Sequence, residues 1–283
     1  MKRLLTRSMV LAAVLGHQES AIFMSALVFA ALFSGCATMD VTDVPVESPR
    51  ICAHRGGRHE YDDNAVGGFV ASLKAGVRGY ETDVRETVDG ELVIMHDAKV
   101  DRTTTGTGDI TKMTLAEVRK LRLKKSGEPV PTLAEVLRPF AGRKDVWIEL
   151  EMKSHQGDVD AYTRKIHDTA ASILEPGTFA IIGFGPEHVQ SVMRQFPEQK
   201  SSFTVARPLD DRAIADAKRF SGNGVGTFLK GTKKEMVDKA HAAGLRVAMW
   251  MINTKEEYEL AKSLGADTVT SDYPVRLLNE LRK

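Results

Sequence analysis

The chain has 283 residues, 42% of them hydrophobic and 27% charged, as in an ordinary soluble globular protein. Its 39 basic and 38 acidic residues leave a formal net charge of +1, which gives no electrostatic footprint for nucleic acid and excludes it as an expected partner. The two cysteines, Cys36 and Cys52, belong to no CxxC or Cys/His cluster, so neither a disulfide framework nor a zinc site is read from them.

The first element is a leader. Lys2, Arg3 and Arg7 precede an apolar stretch over residues 9–15, a polar break over 17–20 and a second apolar run over 21–33, the pattern of an export signal. The run closes on Phe33-Ser34-Gly35-Cys36, which resembles the bacterial lipobox, where a cysteine after small residues is lipidated and becomes the mature N-terminus. A lipoprotein signal peptide over 1–35, a polar tether over 36–48 and one catalytic domain over 49–283 are therefore expected, in an exported protein held to a membrane through Cys36 on the periplasmic or cell-surface side. The alternatives are a plain secretory signal or an uncleaved membrane helix, for which the second run is short.

From residue 50 onward, β-rich runs alternate with helical patterns, the order that yields parallel strands joined by crossover helices. Eight strands are predicted, at 50–54, 79–85 continuing through 92–96, 146–153, 179–184, 201–205, 224–229, 247–252 and 268–271. Amphipathic stretches at 189–196, 211–220, 233–243 and 256–264 lie between them, with Gly244 and Gly265 placed as C-terminal stops. Eight units, and no GxGxxG loop opening the first helix, favour an α/β (β/α)8 TIM barrel over a doubly wound sheet.

Side chains on a barrel strand alternate between the interior and the helix layer, so Glu81 and Asp83 point inward together. In the next strand Glu149, Glu151 and Lys153 share one face, and Ile148, Leu150 and Met152 the apolar one. Carboxylates gathered in a barrel interior require a compensating cation. Oxygen ligands without cysteine favour Mg2+ or Ca2+. The competing explanation is a structural ion-pair network with Lys153 and Arg85. His54 and His96 end the first strand and the run after the second, where barrel enzymes carry catalytic groups, and together they can act as general base and general acid. Arg55 and Lys153 would add positive charge around an anionic group such as a phosphodiester. His59, His155, His167, His188 and His241 are read as loop or helix-surface residues.

These residues carry a resemblance. His54-Arg55-Gly56, Glu81-Thr82-Asp83, His96-Asp97, the loop from Asp101 to Gly108, Pro131-Thr132-Leu133, Glu151-Met152-Lys153, Trp250 with Asn253, and Ser271-Asp272-Tyr273-Pro274 are similar in type and spacing to the motifs of bacterial glycerophosphodiester phosphodiesterases. The resemblance spans residues 50–283. It implies His54 and His96 as acid/base catalysts, Glu81, Asp83 and Glu151 as metal ligands, Arg55 and Lys153 on the phosphate, and Trp250 at the edge of the glycerol pocket. It also implies attack of a glycerol hydroxyl on its own phosphorus, loss of the alcohol, and opening of the cyclic phosphate by water to glycerol 3-phosphate. One departure stands out: Asp62-Asp63-Asn64-Ala65 occupies the family's Pro-Glu-Asn-Thr, so Asp63 is one methylene short, which bears on the preferred cation if that position touches the metal or its water shell.

A lysophospholipase D-like or phosphoinositide-cleaving barrel enzyme is a second reading, given a membrane anchor. It would call for a long hydrophobic loop at the strand C-termini, whereas the stretch 103–111 is short and polar, favouring small deacylated substrates. A lipoprotein that captures glycerophosphodiesters without cleaving them is a third, and it has no use for a paired acid and base.

Overall fold

The computed structural model describes residues 48–283; the leader, Cys36 and the tether up to residue 47 lie outside them. The chain enters β1 (Arg50–His54), passes through helix α1 (Val66–Ala75) to β2 (Gly79–Glu86), and turns back in a short strand β3 (Leu92–Ile94) that pairs with β2 antiparallel. After helices α2 (Leu115–Val118) and α3 (Leu133–Leu137) comes β4 (Trp147–Met152). Strand and helix then alternate: α4 (Val159–Ala171), β5 (Phe179–Gly183), α5 (Pro186–Gln195), β6 (Ser201–Pro208), α6 (Asp211–Phe220), β7 (Gly224–Phe228), α7 (Lys234–Ala242), β8 (Arg246–Trp250), α8 (Lys255–Leu264), β9 (Thr268–Ser271) and α9 (Pro274–Leu281).

Apart from β3, all strand pairings are parallel, and β1 bonds to both β9 and β2, which closes the eight parallel strands into a barrel. The expected (β/α)8 fold is thus the observed one. The predicted second strand needs division, because 92–94 is an antiparallel arm on the outside of the ring rather than a continuation of β2.

Local chemistry sets the helix ends. Thr132 and Thr254 each form a capping box, with Glu135 and Glu257, and Asp158 and Asp210 accept from the first backbone N–H groups of α4 and α6. Gly265 ends α8 in the left-handed conformation, φ 94°, as its position suggested.

The alternation of side chains sorts two interiors. Ile51, Ala53, Tyr80, Val84, Ile148, Leu150 and Met152 face outward and join the main apolar core between barrel and helices. Gly79, on the inward face of β2, marks a close approach to β1, because a Cβ there would lie 2.5 Å from the Ile51 carbonyl oxygen and 2.7 Å from Cys52 Sγ. Gly79→Ala is accordingly expected to lower the denaturant midpoint by an amount worth about 1–3 kcal/mol, read by chemical unfolding; an unchanged midpoint would mean that β1 shifts freely.

Between β3 and α3 the chain makes a long excursion over the barrel mouth. Val100, Ile110, Val118, Leu123 and Val130 pack there with Ala65, Val93 and Met95 as a second, smaller core. The stretch 103–111, expected as a short polar loop, is therefore part of a longer packed unit in which Thr104 and Ile110 are buried. Among the described residues no helix is long and apolar enough to cross a membrane.

Candidate active site

The β2–β4 register places Glu81 beside Glu149 and Asp83 beside Glu151, while β1 brings His54 level with Glu81. One oxygen each from Glu81, Asp83 and Glu151 lie within 4.8 Å of one another. These three are the acids the sequence placed inward together. Glu149, the fourth, turns toward the closed end of the barrel, where its Oε1 accepts from Trp147 Nε1 at 3.0 Å. It stands outside that cluster while still lining the same cavity, and burial raises its pKa.

The three clustered acids are held unequally. Asp83 Oδ2 accepts from Asn64 Nδ2 at 2.8 Å and lies 3.4 Å from Arg55 Nε, and Asp83 Oδ1 lies 2.8 Å from Lys153 Nζ. Although burial pushes its pKa upward, Lys153 and Arg55 hold it well below the usual carboxylate range. Glu81 Oε2 accepts from the Arg55 backbone N–H at 3.0 Å, but its Oε1 is buried with no hydrogen-bond donor. Burial, then the charges of Asp83 and Glu151, push Glu81 well above its ordinary value. Glu151 Oε1 takes Lys153 Nζ at 2.5 Å, and its pKa is raised by burial. Three convergent hard oxygens, one lacking any donor and two with raised pKa values, are what a divalent cation would complete.

Loop geometry supports this arrangement. Arg55 and Asn64 both adopt positive φ, 51° and 62°, and Asn is among the few side chains that tolerate it. Asn64 Oδ1 accepts from Thr82 Oγ1 while its amide donates to Asp83, so one residue ties both faces of β2. Asp63 Oδ2 takes Arg55 Nη1 at 2.9 Å and Arg102 Nη1 at 3.0 Å. It stands outside the acidic cluster, so the missing methylene bears on two arginines.

Both histidines have the same construction. His54 Nδ1 lies 2.6 Å from Asp272 Oδ1, and its Nε2 is 3.8 Å from Glu81 Oε2. Asp272 resists burial because His54 bonds to it and Arg58 and His59 add charge, so it stays ionised and the His54 Nδ1 must donate. Nε2 is left as the acceptor. His96 Nδ1 lies 2.6 Å from Asp97 Oδ1, whose pKa is held to about 2 against burial by Arg102 and His96. Burial lowers the pKa of both histidines, and His96 is the more open, 36% exposed against 14%.

A cavity of about 250 Å3 opens at the strand C-termini, lined by His54, Arg55, Glu81, His96, Glu151 and Trp250 among others. Trp250 packs edge-on against Phe184 and Phe228. Its indole N–H is buried without a partner. Lys153 is not among the lining residues; it sits behind the acids it bridges. The ion-pair alternative is therefore realised for Lys153, whereas Arg85 turns away and donates to the His96 carbonyl oxygen at 2.7 and 3.2 Å.

Four placements were not read from the sequence. Asp272, noted only as part of a closing turn, is the partner of His54, and Asn253 Oδ1 accepts from its backbone N–H at 2.9 Å. Arg58 lines the cavity. His59 is exposed but reaches Asp272 Oδ2 at 3.3 Å. His188, expected on a helix surface, is buried against β5, where Gly183 leaves room for its ring.

Residues 54–276 match the model of the glycerophosphoryl diester phosphodiesterase family. The chain belongs to that family. A glycerophosphodiester phosphodiesterase of Caldanaerobacter subterraneus subsp. tengcongensis is 29% identical over 239 residues, covering 82% of this chain and 98% of its own. Glycerophosphodiester phosphodiesterase 1 of Bos taurus is 28% identical, over 77% of this chain and 76% of its own. Among solved structures, an Oleispira antarctica phosphodiesterase in complex with sn-glycerol-3-phosphate shares the fold, with TM-score 0.76, 23% identity and coverage of 83% and 98%. The family match begins at His54 and ends beyond Asp272, so it encloses every site residue described above.

Proposed function

We propose that the chain hydrolyses glycerophosphodiesters to glycerol 3-phosphate and an alcohol, with His54 and His96 as the acid/base pair. The observation that carries this reading is the pair of carboxylate-tied histidines beside one acidic cluster, at the mouth of a barrel of this family. The product named for the Oleispira antarctica structure is consistent with it.

Glu81, Asp83 and Glu151 would hold a divalent cation, Mg2+ or Ca2+ by their oxygen chemistry. When bound, such an ion neutralises phosphate charge and stabilises the charge that develops during transfer. Arg55, which lines the cavity, presents its guanidinium to the phosphate, and Lys153 supplies positive charge from behind. His54 Nε2 takes the proton of the glycerol hydroxyl as its oxygen attacks phosphorus, and His96, carrying a proton supported by Asp97, gives it to the departing alkoxide. In the second step His96 deprotonates water, which opens the cyclic phosphate, and His54 returns its proton to the glycerol oxygen. Trp250 borders the glycerol, its ring forming part of the cavity wall.

A signal peptide over 1–35, lipidation at Cys36 and a tether over 36–48 complete the proposal, placing the barrel outside the cytoplasm on a membrane anchor.

The test is release of glycerol 3-phosphate from glycerophosphocholine and glycerophosphoethanolamine, with Mg2+ or Ca2+ and with chelator. Release that chelation abolishes is expected. Binding of either substrate without release would favour the capture protein. Cleavage of only an acyl-bearing lipid would favour the lysophospholipase D-like reading.

A further inference from the structure

The two histidines are braced differently. Asp272, which orients His54, is buried and is itself fixed by Asn253, which accepts from its backbone N–H, and by Arg58 and His59. Asp97, which orients His96, is more open, and among the described residues its carboxylate meets only His96 and Arg102. His96 Nδ1 lies 2.6 Å from Asp97 Oδ1, and Arg102 Nε donates to Asp97 Oδ2 at 2.5 Å, so the carboxylate is gripped at both oxygens.

The same guanidinium reaches a second acid. Arg102 Nη1 donates to Asp63 Oδ2 at 3.0 Å, and that oxygen also accepts from Arg55 Nη1 at 2.9 Å. One side chain thus straps the excursion after β3 to the loop after β1. One arm ends on the carboxylate that holds His96, the other on the carboxylate that holds the phosphate-facing arginine. The planar fork of arginine suits two acceptors at once, whereas lysine offers a single point charge. The backbone carrying Arg102 is itself held, since the Asp101 carboxylate accepts from the Gly108 N–H at 2.9 Å and the Asp101 carbonyl oxygen from Lys124 Nζ at 2.7 Å. The Arg102 side chain is 45% exposed. Ion pairs in such places add only about 0–1 kcal/mol to stability, which leaves fold stability a weak reason for this strap.

We infer that Arg102 is a positioning residue for catalysis: through Asp97 it keeps His96 Nδ1 as the donor and Nε2 toward the departing oxygen, and through Asp63 it fixes that ring relative to the Arg55 guanidinium. The inference rests on the assignment of His96 as the acid of the proposed hydrolysis. In that step the bond from phosphorus to the alcohol oxygen breaks, and the His96 Nε2 proton passes to the oxygen that leaves. A basic alkoxide such as that of choline needs this proton, whereas nitrophenolate departs as a stable anion without it. Arg102 therefore matters in proportion to the basicity of the leaving group.

The test uses the full chain with Mg2+ or Ca2+ and reads single-turnover alcohol release from glycerophosphocholine and from the 4-nitrophenyl diester of glycerol 3-phosphate. Arg102→Gln is expected to slow choline release about 10–100-fold and nitrophenol release by less than about threefold. Arg102→Lys, which keeps the charge without the fork, should remain at least about fivefold slow on choline. Lys99→Gln removes an equal charge from an exposed residue of the same excursion and should leave both rates within about twofold of wild type. A reading that needs no activity is the His96 tautomer at alkaline pH, taken from proton–nitrogen NMR spectra and assigned with His96→Ala. Wild type should hold the Nδ1–H form and Arg102→Gln a mixture, with His54 unchanged in both. Equal slowing on the two diesters, a Lys variant as fast as wild type, or a retained Nδ1–H form in Arg102→Gln would overturn the inference. Wild type that releases neither alcohol would count against the hydrolase reading, and the tautomer would then decide the role of Arg102 alone.

Discussion

Replacement of either His54 or His96 by alanine is expected to cut glycerol 3-phosphate release by about 10²–10⁴-fold. Each ring is oriented by a carboxylate on Nδ1 at 2.6 Å, which leaves Nε2 toward the cavity, so each variant removes a proton-transfer group. Because the two steps use the pair in alternation, the double variant should be little worse than either single one, as for groups that act as a unit. Stability distinguishes the two sites. His96 is 36% exposed and its loss should shift unfolding by under about 1 kcal/mol. His54 is enclosed and its loss leaves Asp272 to Arg58 and His59, so a larger shift is expected. A His96→Ala enzyme retaining activity within threefold of wild type would remove His96 from the chemistry.

The second large effect is a divergence between two neighbouring acids. Glu81→Gln and Asp83→Asn should both abolish metal-dependent release, yet in chelator they should move stability in opposite directions. Glu81 has one oxygen with no donor and a raised pKa. A carboxyl whose folded pKa is raised contributes stability that is present at low pH and lost as pH rises through the folded value, so the metal-free wild type weakens above the ordinary value of 4.5. Gln is neutral throughout and can still accept from the Arg55 N–H, so Glu81→Gln should unfold later than wild type at neutral pH and lose that advantage in acid. Asp83, with a lowered pKa, contributes stability that is present at neutral pH and lost in acid. Its removal leaves Lys153 and Arg55 short of a buried counter-charge, at a cost of about 3–5 kcal/mol. Thermal unfolding across pH, with and without Mg2+ or Ca2+, reads both variants. A Glu81→Gln protein less stable than wild type in chelator at pH 7 would contradict the idea that this carboxylate awaits a cation.

The fold class was legible because local periodicity survives folding. The spacing Glu81/Asp83 and Glu149/Glu151 puts acids on one face of a strand wherever that strand sits, and the barrel confirms that this face is the interior. His54 and His96 were legible for a similar reason, since residues at the end of a run of β-formers lie at the rim of a parallel barrel whatever the order of its strands. Family membership, also readable from these motifs, follows from the same positions.

What the sequence could not contain was adjacency between distant segments and the turn of a side chain within its face. Asp272 meets His54 across 218 residues because β9 closes the ring onto β1, and nothing near either residue announces the other. Glu149 shares the face of Glu151 but bonds toward the closed end, a rotamer choice set by Trp147 Nε1. Asp63 faces two arginines rather than the acidic cluster because the loop after β1 folds under the excursion that carries Arg102. That excursion reads as polar along the chain, and only packing shows its apolar residues meeting Ala65, Val93 and Met95. The sequence by itself determined the barrel, the inward acids and the rim histidines, since each depends on spacing of two residues or on strand ends. The tertiary structure decided the partners, because hydrogen bonds and burial are settled between elements only after the ring has closed.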